Sequence, residues 1–205
     1  MVEWGDLSIR SVFAVPYNFF PMISRMRYIN RWGLMRNTRL ENIQEHSHQV
    51  AVLAHALAII QNRYFGGQID PGAVAVAALY HDASEILTGD MPTPIKYDNP
   101  DIQSAYKAVE ATAERRLLSM LPPELREDFR PAVTIPDPAV HALVKAADKL
   151  SAYLKCVEEL KAGNTEFKKA KEQTYAALLQ SDLPALKYFM EHFLDGFELT
   201  LDELN

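Results

Sequence analysis

Residues 45–64 read EHSHQVAVLAHALAIIQNRY, and this stretch decides the fold class. Its large apolar residues recur at alternating gaps of three and four positions, at Val50, Leu53, Leu57 and Ile60. That spacing lines one face of an α-helix, because the helix completes a turn in about 3.6 residues. The stretch therefore predicts a long amphipathic helix that ends before the Gly66-Gly67 pair.

The helical period continues on the C-terminal side of this stretch. Asp70 and Pro71 supply an N-cap and a first-turn proline for a second helix, which we expect to run to about Thr88 and to end at Gly89. Residues 90–94 are expected to form a stiff loop, because each proline fixes its own φ and disfavours helix in the residue before it. Further helices are expected at about 100–120, 139–160, 166–180 and 184–194, with a proline-punctuated connection from Pro131 to Pro138. No segment alternates with the period of a strand, so we expect an all-α fold, a single helical bundle.

Composition excludes several classes of function. A chain of 205 residues fits one domain, and its net charge of -6 disfavours binding to nucleic-acid polymers or to anionic membranes. The apolar segment Val12 to Phe20 is interrupted by Pro16 and is too short to span a bilayer. The single cysteine, Cys156, cannot form an internal disulfide. We therefore expect a cytoplasmic protein.

Four residues in three predicted helices carry the chemistry. His46 shares the apolar face of the first helix, so its ring should point inward and require a polar partner. His81 and Asp82 follow the apolar run Ala73 to Tyr80, and Asp148 interrupts the apolar run Ala142 to Ala147. Neutral imidazoles and carboxylates together suit a divalent transition metal. Each residue alone also has a structural interpretation, because an inward histidine is usually a hydrogen-bonded core residue and a buried carboxylate can be an ion-pair partner.

Several short motifs occur in a fixed order along the chain. They are Arg31-Trp32, Glu45-His46-Ser47, His81-Asp82-Ala83-Ser84-Glu85, the loop from Gly89 to Pro94, and Ala147-Asp148. Together they resemble the bacterial 5′-deoxynucleotidases of the HD-domain superfamily of metal-dependent phosphohydrolases. The resemblance extends over residues 26–205, and residues 1–25 are an N-terminal extension of unknown role. The four ligand residues alone indicate only the HD-domain superfamily. The Arg31-Trp32 pair and the loop from Gly89 to Pro94 indicate the 5′-deoxynucleotidase family within it.

The resemblance implies a function and a set of site residues. It implies hydrolysis of deoxyribonucleoside 5′-monophosphates by a homodimer that uses a divalent transition metal such as cobalt or manganese. The metal ligands would be His46, His81, Asp82 and Asp148. The substrate would contact Arg31, Trp32, His46, Asp82, Asp90, Met91, Pro92 and Thr93. On this interpretation Arg31 would bind phosphate and Trp32 would exclude a ribose 2′ hydroxyl, although a surface ion pair and core packing are the respective alternatives.

Two carboxylates are candidates for acid and base catalysis. Glu85 follows Asp82 by three positions, so on a continuous helix its carboxyl would lie on the side of the metal without being forced to bind it. Asp90 follows the expected helix end and could orient a water molecule or act as the second acid-base group. The alternatives are a solvated surface glutamate for Glu85 and a simple turn residue for Asp90.

Two other functions agree with the same residues. An HD-domain enzyme acting on a cyclic nucleotide or a nucleoside triphosphate would use the same four ligands, because the ligands do not define the leaving group. A noncatalytic helical protein that only binds metal would retain them as well. Because Glu85 and Asp90 are both present, the sequence favours an enzyme.

Overall fold

The computed structural model describes residues 17–96 and 99–204, and the regular structure of these residues is helical. The α-helices are α1 (Phe19–Ile23), α2 (Ile43–Phe65), α3 (Pro71–Tyr80), α4 (Glu85–Thr88), α5 (Thr93–Lys96), α6 (Pro100–Ser119), α7 (Arg126–Thr134), α8 (Pro138–Lys161), α9 (Lys168–Leu179) and α10 (Pro184–Phe193). Short 3₁₀ turns join several of them. Within the described residues, β-type pairing is confined to one bridge between Asn30 and Asn42. The all-α prediction is confirmed.

Helix α2 begins at an N-cap side chain and ends at a C-cap glycine. The side chain of Asn42 accepts hydrogen bonds from the backbone N–H groups of Gln44 and Glu45, which have no partner inside the helix. Gly66 ends the helix in the left-handed region with φ 69°, a conformation that glycine adopts without steric cost. The sequence-based prediction of a helix over about 45–64 is confirmed.

The prediction of one continuous second helix is wrong. The structure has two helices there, α3 and α4, separated by residues 81–84. Over residues 81–84 the backbone forms tight bonds three residues back, such as Ala83 N–H to Tyr80 O at 2.9 Å. The imidazole Nδ1 of His81 lies 2.7 Å from the carbonyl oxygen of Ala78, the acceptor that Asp82 N–H would use in a continuing helix. The His81 side chain thus competes with the helix, which resumes at Glu85 and ends at Gly89 as predicted.

Two predicted loops are partly helical. Helix α5 begins at Thr93, inside the expected 90–94 loop, because Pro94 falls in the first turn, where a missing N–H has no cost. Pro131 lies inside α7, and only residues 135–137 connect α7 to α8. Burial of Val133, with Phe129 packed beside it, offsets the one helical hydrogen bond that Pro131 cannot make.

The helices pack around two apolar clusters. The larger cluster lies between α2, α3, α8 and α10 and includes Val50, Leu57 and Leu150. The smaller one joins Phe19 of α1, which is 1% exposed, to residues of α6 and α7. Among the described residues, no helix has the length and apolarity needed to cross a membrane. The packing brings the start of α2, the end of α3 and the middle of α8 to one place.

Candidate metal centre and active site

His46, His81, Asp82 and Asp148 come together from three separate helices. His46 Nε2 lies 3.1 Å from an oxygen of Asp148 and 3.5 Å from an oxygen of Asp82. One potential ligand atom each from His46, His81 and Asp148 lies within 4.8 Å of the others. Asp82 joins this group through its contacts of 3.2 Å and 3.5 Å with the two histidines. The four residues singled out in the sequence therefore share one site.

The ring orientation of His46 is fixed by Ser151 behind it. Ser151 donates its hydroxyl proton to Gln49 at 2.6 Å, so its oxygen is left to accept a bond from His46 Nδ1 at 3.0 Å. His46 then carries its proton on Nδ1, and the lone pair of Nε2 faces Asp148. This is the outer hydrogen bond that typically orients a metal-binding histidine.

The ring of His81 is fixed in the same tautomer by a different partner. Its Nδ1 donates to the carbonyl oxygen of Ala78, which can only accept, so Nε2 presents a lone pair. That buried Nε2 has no hydrogen-bond partner among the described residues. Two imidazole lone pairs therefore face carboxylate oxygens without a proton between them, and a divalent cation fits this donor set.

Charge is concentrated at this site. Burial alone would raise the pKa values of both carboxyls, but His81 lowers the pKa of Asp82, and His46 lowers that of Asp148, to well below the usual range. Burial lowers the pKa of His81, but Asp82 and Asp148 more than offset this and raise it. Protonation of His81 thus competes with metal binding, and metal affinity should fall as the pH is lowered.

Arg31 lies against the acids of the site. Its Nε donates to Glu41 at 3.1 Å, its Nη1 donates to Asp82 at 3.2 Å, and its Nη2 lies 4.0 Å from Asp148. The nearby carboxylates outweigh burial and raise the pKa of Arg31, so the guanidinium stays charged. In this arrangement the guanidinium of Arg31 offsets part of the negative charge of the site's acids.

Trp32 is held in a strained backbone conformation beside Arg31. Its φ of 57° lies in the left-handed region, which is costly for a bulky residue. The centroid of its ring lies 5.4 Å from that of Phe167, its Nε1 donates to Glu41 at 3.1 Å, and its backbone N–H lowers the pKa of the Asp90 carboxyl. The strained turn therefore connects the Arg31-Trp32 pair to Asp90, a carboxylate distant in sequence.

Glu85 is a buried acid without a counterion. Its side chain belongs to a residue only 6% exposed, and its Oε2 has no hydrogen-bond partner in the described part of the chain. Burial, together with Asp82 and Asp90, raises the pKa of Glu85 to about 9. Burial also raises the pKa of the half-buried Asp90. The surface alternative for Glu85 is wrong, and at neutral pH it is a protonated acid in the metal-free protein.

The remaining predicted substrate residues lie between Gly89 and α5. Met91 and Pro92 are half-buried there, directly after Asp90. Thr93 opens α5, and its side chain lies outside the described part of the structure. The loop thus begins beside the site through Asp90.

A cleft of about 270 Å³ opens beside the metal-site residues. It is lined by His81, Asp82 and Asp148 and by a wall from α6 and α8 that includes Gln103, Tyr106, Lys107, His141 and Lys145. None of these wall residues was predicted from the sequence. His141 and Lys145 could have been identified from the helical period, because they precede Asp148 by seven and three residues and so lie on the same helix face. No comparable pattern marks the α6 residues.

Proteins described as 5′-deoxynucleotidases are similar to this chain over most of its length. The family model described as 5′-deoxynucleotidase YfbR-like matches residues 18–197. The 5′-deoxynucleotidase of Vibrio cholerae is 54% identical over 190 residues, 92% of this chain and 98% of that protein. The 5′-deoxynucleotidase of Shewanella oneidensis is 52% identical and covers 92% and 97% of the two chains.

Solved structures share the fold. An HD-domain phosphohydrolase from Listeria innocua superimposes with a TM-score of 0.76 at 21% identity, covering 88% of each chain. A cyanophage S-2L HD phosphohydrolase, solved with dA and one catalytic Zn²⁺ ion, gives a TM-score of 0.62 at 24% identity over 88% of this chain and 96% of that one. The bundle is therefore the HD-domain fold.

Proposed function

The chain belongs to the YfbR-like 5′-deoxynucleotidase family, and we propose that its reaction takes place at His46, His81, Asp82 and Asp148. It is a phosphatase that hydrolyses deoxyribonucleoside 5′-monophosphates to deoxyribonucleosides and phosphate. The observation that carries the assignment of the site is the pair of imidazole lone pairs facing carboxylate oxygens. This donor set supports a divalent transition metal held by all four residues, cobalt, manganese or a similar ion.

The cyanophage phosphohydrolase is described with one catalytic Zn²⁺ ion, which agrees with a metal of this class. When bound, a divalent ion would supply an activated water and neutralise charge on the phosphoryl oxygens. Arg31, directed at Asp82 and Asp148, would bind the phosphate once those acids are shared with the metal. The side chains of this protein then need to position the phosphate ester, donate a proton to the leaving 5′ oxygen and accept a proton from the attacking water.

Glu85 is the proposed acid. As the bond between phosphorus and the 5′ oxygen breaks, the proton of Glu85 would pass to the departing oxygen. Its burial and raised pKa support this role, because they keep the carboxyl protonated at neutral pH. Asp90 would receive a proton from the attacking water, and the backbone N–H of Trp32, which lowers the pKa of this carboxyl, favours its ionised form.

The substitution Glu85→Gln tests this acid. It should keep metal content near that of the wild type while kcat falls by about 10²-fold to 10⁴-fold, the usual contribution of a general acid. Metal analysis and steady-state kinetics on the same preparation separate the two quantities. Turnover close to the wild-type rate would remove Glu85 from the mechanism.

Trp32 and the loop from Asp90 to Thr93 are the proposed sugar-binding elements. Trp32 is pinned by Glu41 and Phe167, which would give its ring the rigidity needed to exclude a 2′ hydroxyl. His46 and Asp82 would contact the substrate as well, because both adjoin the metal position. Met91, Pro92 and Thr93 complete the proposed substrate contacts.

The function is tested by phosphate release from matched deoxyribo- and ribonucleoside 5′- and 3′-monophosphates, with added divalent metals. The proposal expects phosphate and nucleoside from the 5′-deoxy substrates, with the other three classes slower. A nucleoside triphosphate that yields inorganic triphosphate, or a cyclic nucleotide that yields a nucleotide, would indicate one of the two alternative enzymes. Metal binding without hydrolysis of any substrate would indicate a noncatalytic protein.

We further propose a cytoplasmic homodimer with residues 26–205 as its catalytic domain and residues 1–25 as an extension, whose helix α1 packs Phe19 against that domain. The single cysteine is buried, which agrees with a reducing compartment. Apolar side chains are exposed on the outer faces of α2 and α3, at Val52, Ile59, Val76 and Leu79. Such a face supports a contact between two copies. Light scattering should give twice the chain mass, and Ile59→Lys with Val76→Lys should give a monomer.

A further inference from the structure

Two lysines in the wall of the cleft have no acidic partner. Lys107 on α6 and Lys145 on α8 both line the cleft and are exposed. Within residues 17–96 and 99–204, neither forms an ion pair. Lys96 in the same cleft differs, because it pairs with Glu110 at 2.7 Å. The cleft is therefore lined by two lysines whose ammonium groups are not held in an ion pair by the described residues.

The position of Lys145 on α8 brings its charge close to the metal-site residues. It precedes Asp148 by three residues, so the two side chains lie on the same face and about 4.5 Å apart along the helix axis. The flexible four-carbon stem of a lysine spans that distance easily. Its ammonium group can thus reach a group bound beside Asp148.

Lys107 approaches the same region from the opposite helix. His141 lies one turn before Lys145, and burial, Lys145 and Lys107 together lower the pKa of His141. Both lysine charges therefore act on one histidine, although they belong to different helices. Lys107, Lys145 and His141 all line the same cleft.

The cleft is also lined by four acids, Asp82, Glu110, Glu114 and Asp148. Glu110 is taken by Lys96, and burial and Glu110 raise the pKa of Glu114. Arg31 does not line the cleft, and its guanidinium is occupied by Glu41 and Asp82. The whole chain carries a charge of -6, so an anion approaching the site needs a local source of attraction.

We propose that Lys107 and Lys145 form an anion subsite that binds the phosphate dianion of the substrate next to the metal ligands. The proposal rests on the proposed function of the site. The two lysines would bind the phosphate from the wall of the cleft, in addition to the contact proposed for Arg31. They would act as substrate-binding residues, whereas the proton transfers remain with Glu85 and Asp90.

The test compares Lys107→Met and Lys145→Met with Lys149→Met. Lys149 is exposed on the same helix and does not line the cleft, so it loses the same charge without touching the subsite. The measurements are metal content, kcat and KM for a deoxyribonucleoside 5′-monophosphate at several salt concentrations, and binding of inorganic phosphate to the metal-loaded protein by calorimetry.

In each cleft variant, KM and the dissociation constant for phosphate should rise about tenfold, the loss expected for one charge-assisted bond. Metal content and kcat should stay near wild type, and kcat/KM should depend less on salt because an attractive charge is gone. Values within about twofold of Lys149→Met would overturn the subsite. An inactive wild-type enzyme would instead refute the proposed function, and phosphate binding would still report on the lysines.

Discussion

Helix α8 carries two buried charged clusters that differ in how completely the protein satisfies them. Near its C-terminal end, Glu159 is 1% exposed and accepts bonds from Thr38 N–H at 2.9 Å, Thr38 hydroxyl at 2.7 Å and Asn164 at 2.8 Å. Lys155 pairs with the same carboxylate and also donates to the carbonyl oxygen of Arg39. We refer to Thr38, Arg39, Lys155, Glu159 and Asn164 as the clamp.

The metal cluster, at Asp148 on the same helix, has the opposite character. His81 Nε2 and Glu85 Oε2 are buried without partners among the described residues, and lone pairs face each other across the site. The clamp uses its charges to fix the loop that carries Arg31 and Trp32. The metal cluster leaves two buried polar atoms without partners, which costs stability and prepares the site for a ligand.

The largest expected effect separates the clusters by function. His81→Ala should abolish metal binding and lower kcat/KM by more than about 10³-fold, because one imidazole ligand is lost. The exposed His48→Ala is the matched control and should retain both properties. Metal analysis and kinetics on purified variants provide the measurement. Normal metal content in His81→Ala would contradict the assigned ligand set.

A substitution in the clamp should lower the stability of the protein without changing its metal binding. Glu159→Ala leaves Lys155 buried without its carboxylate, which should lower the free energy of unfolding by about 3 to 5 kcal/mol. The metal stoichiometry of the folded protein should stay unchanged. Urea denaturation of the wild type and the variant measures the difference. A change below about 1 kcal/mol would show that the clamp pair is not a buried ion pair in solution.

A smaller effect concerns the unsatisfied acid of the metal cluster. Because the pKa of Glu85 is about 9 in the fold and ordinarily 4.5, unfolding releases its proton between these pH values. The free energy of unfolding of the metal-free wild type should therefore fall as pH rises through this window. That of Glu85→Gln should not show this fall, because glutamine does not titrate. The variant should be more stable by about 3 kcal/mol at pH 7, at about 1.4 kcal/mol per pH unit. Equal stability at pH 5 and pH 8 would contradict the raised pKa.

The smallest expected effect lies on the loop that the clamp fixes. Trp32→Ala should raise kcat/KM on ribonucleoside 5′-monophosphates relative to the deoxy substrates by about tenfold, because steric exclusion of a small group is worth roughly 1 to 3 kcal/mol. Competition between paired substrates measures this preference directly. An unchanged ratio would mean that Trp32 does not select the sugar.

The comparison also explains what could be predicted from the sequence. His46, His81, Asp82 and Asp148 were predictable because each interrupts an apolar helical face, where a polar residue needs a reason. The helix boundaries at Gly66 and Gly89 followed from glycine's freedom at positive φ. Both features depend only on residues close together in the sequence.

Contacts between distant segments could not be predicted in this way. Thr38 and Glu159 are 121 residues apart, and nothing in either segment indicates the other. The break after Tyr80 depends on a side chain taking a backbone acceptor, which propensity does not register. The burial of Glu85 likewise follows from packing around α4, so the sequence suggested its role but not its raised pKa.

One uninterrupted helix, α8, sets the angle between the two clusters. Asp148 and Glu159 are separated by eleven residues, about three turns, so they project from nearly the same side. Inserting one residue between them would rotate one relative to the other by about 100° and turn either the ligand or the loop anchor away from its partners. This segment can therefore tolerate substitutions in evolution but not a change in its length. An insertion or deletion there would disable the enzyme even if every functional residue remained.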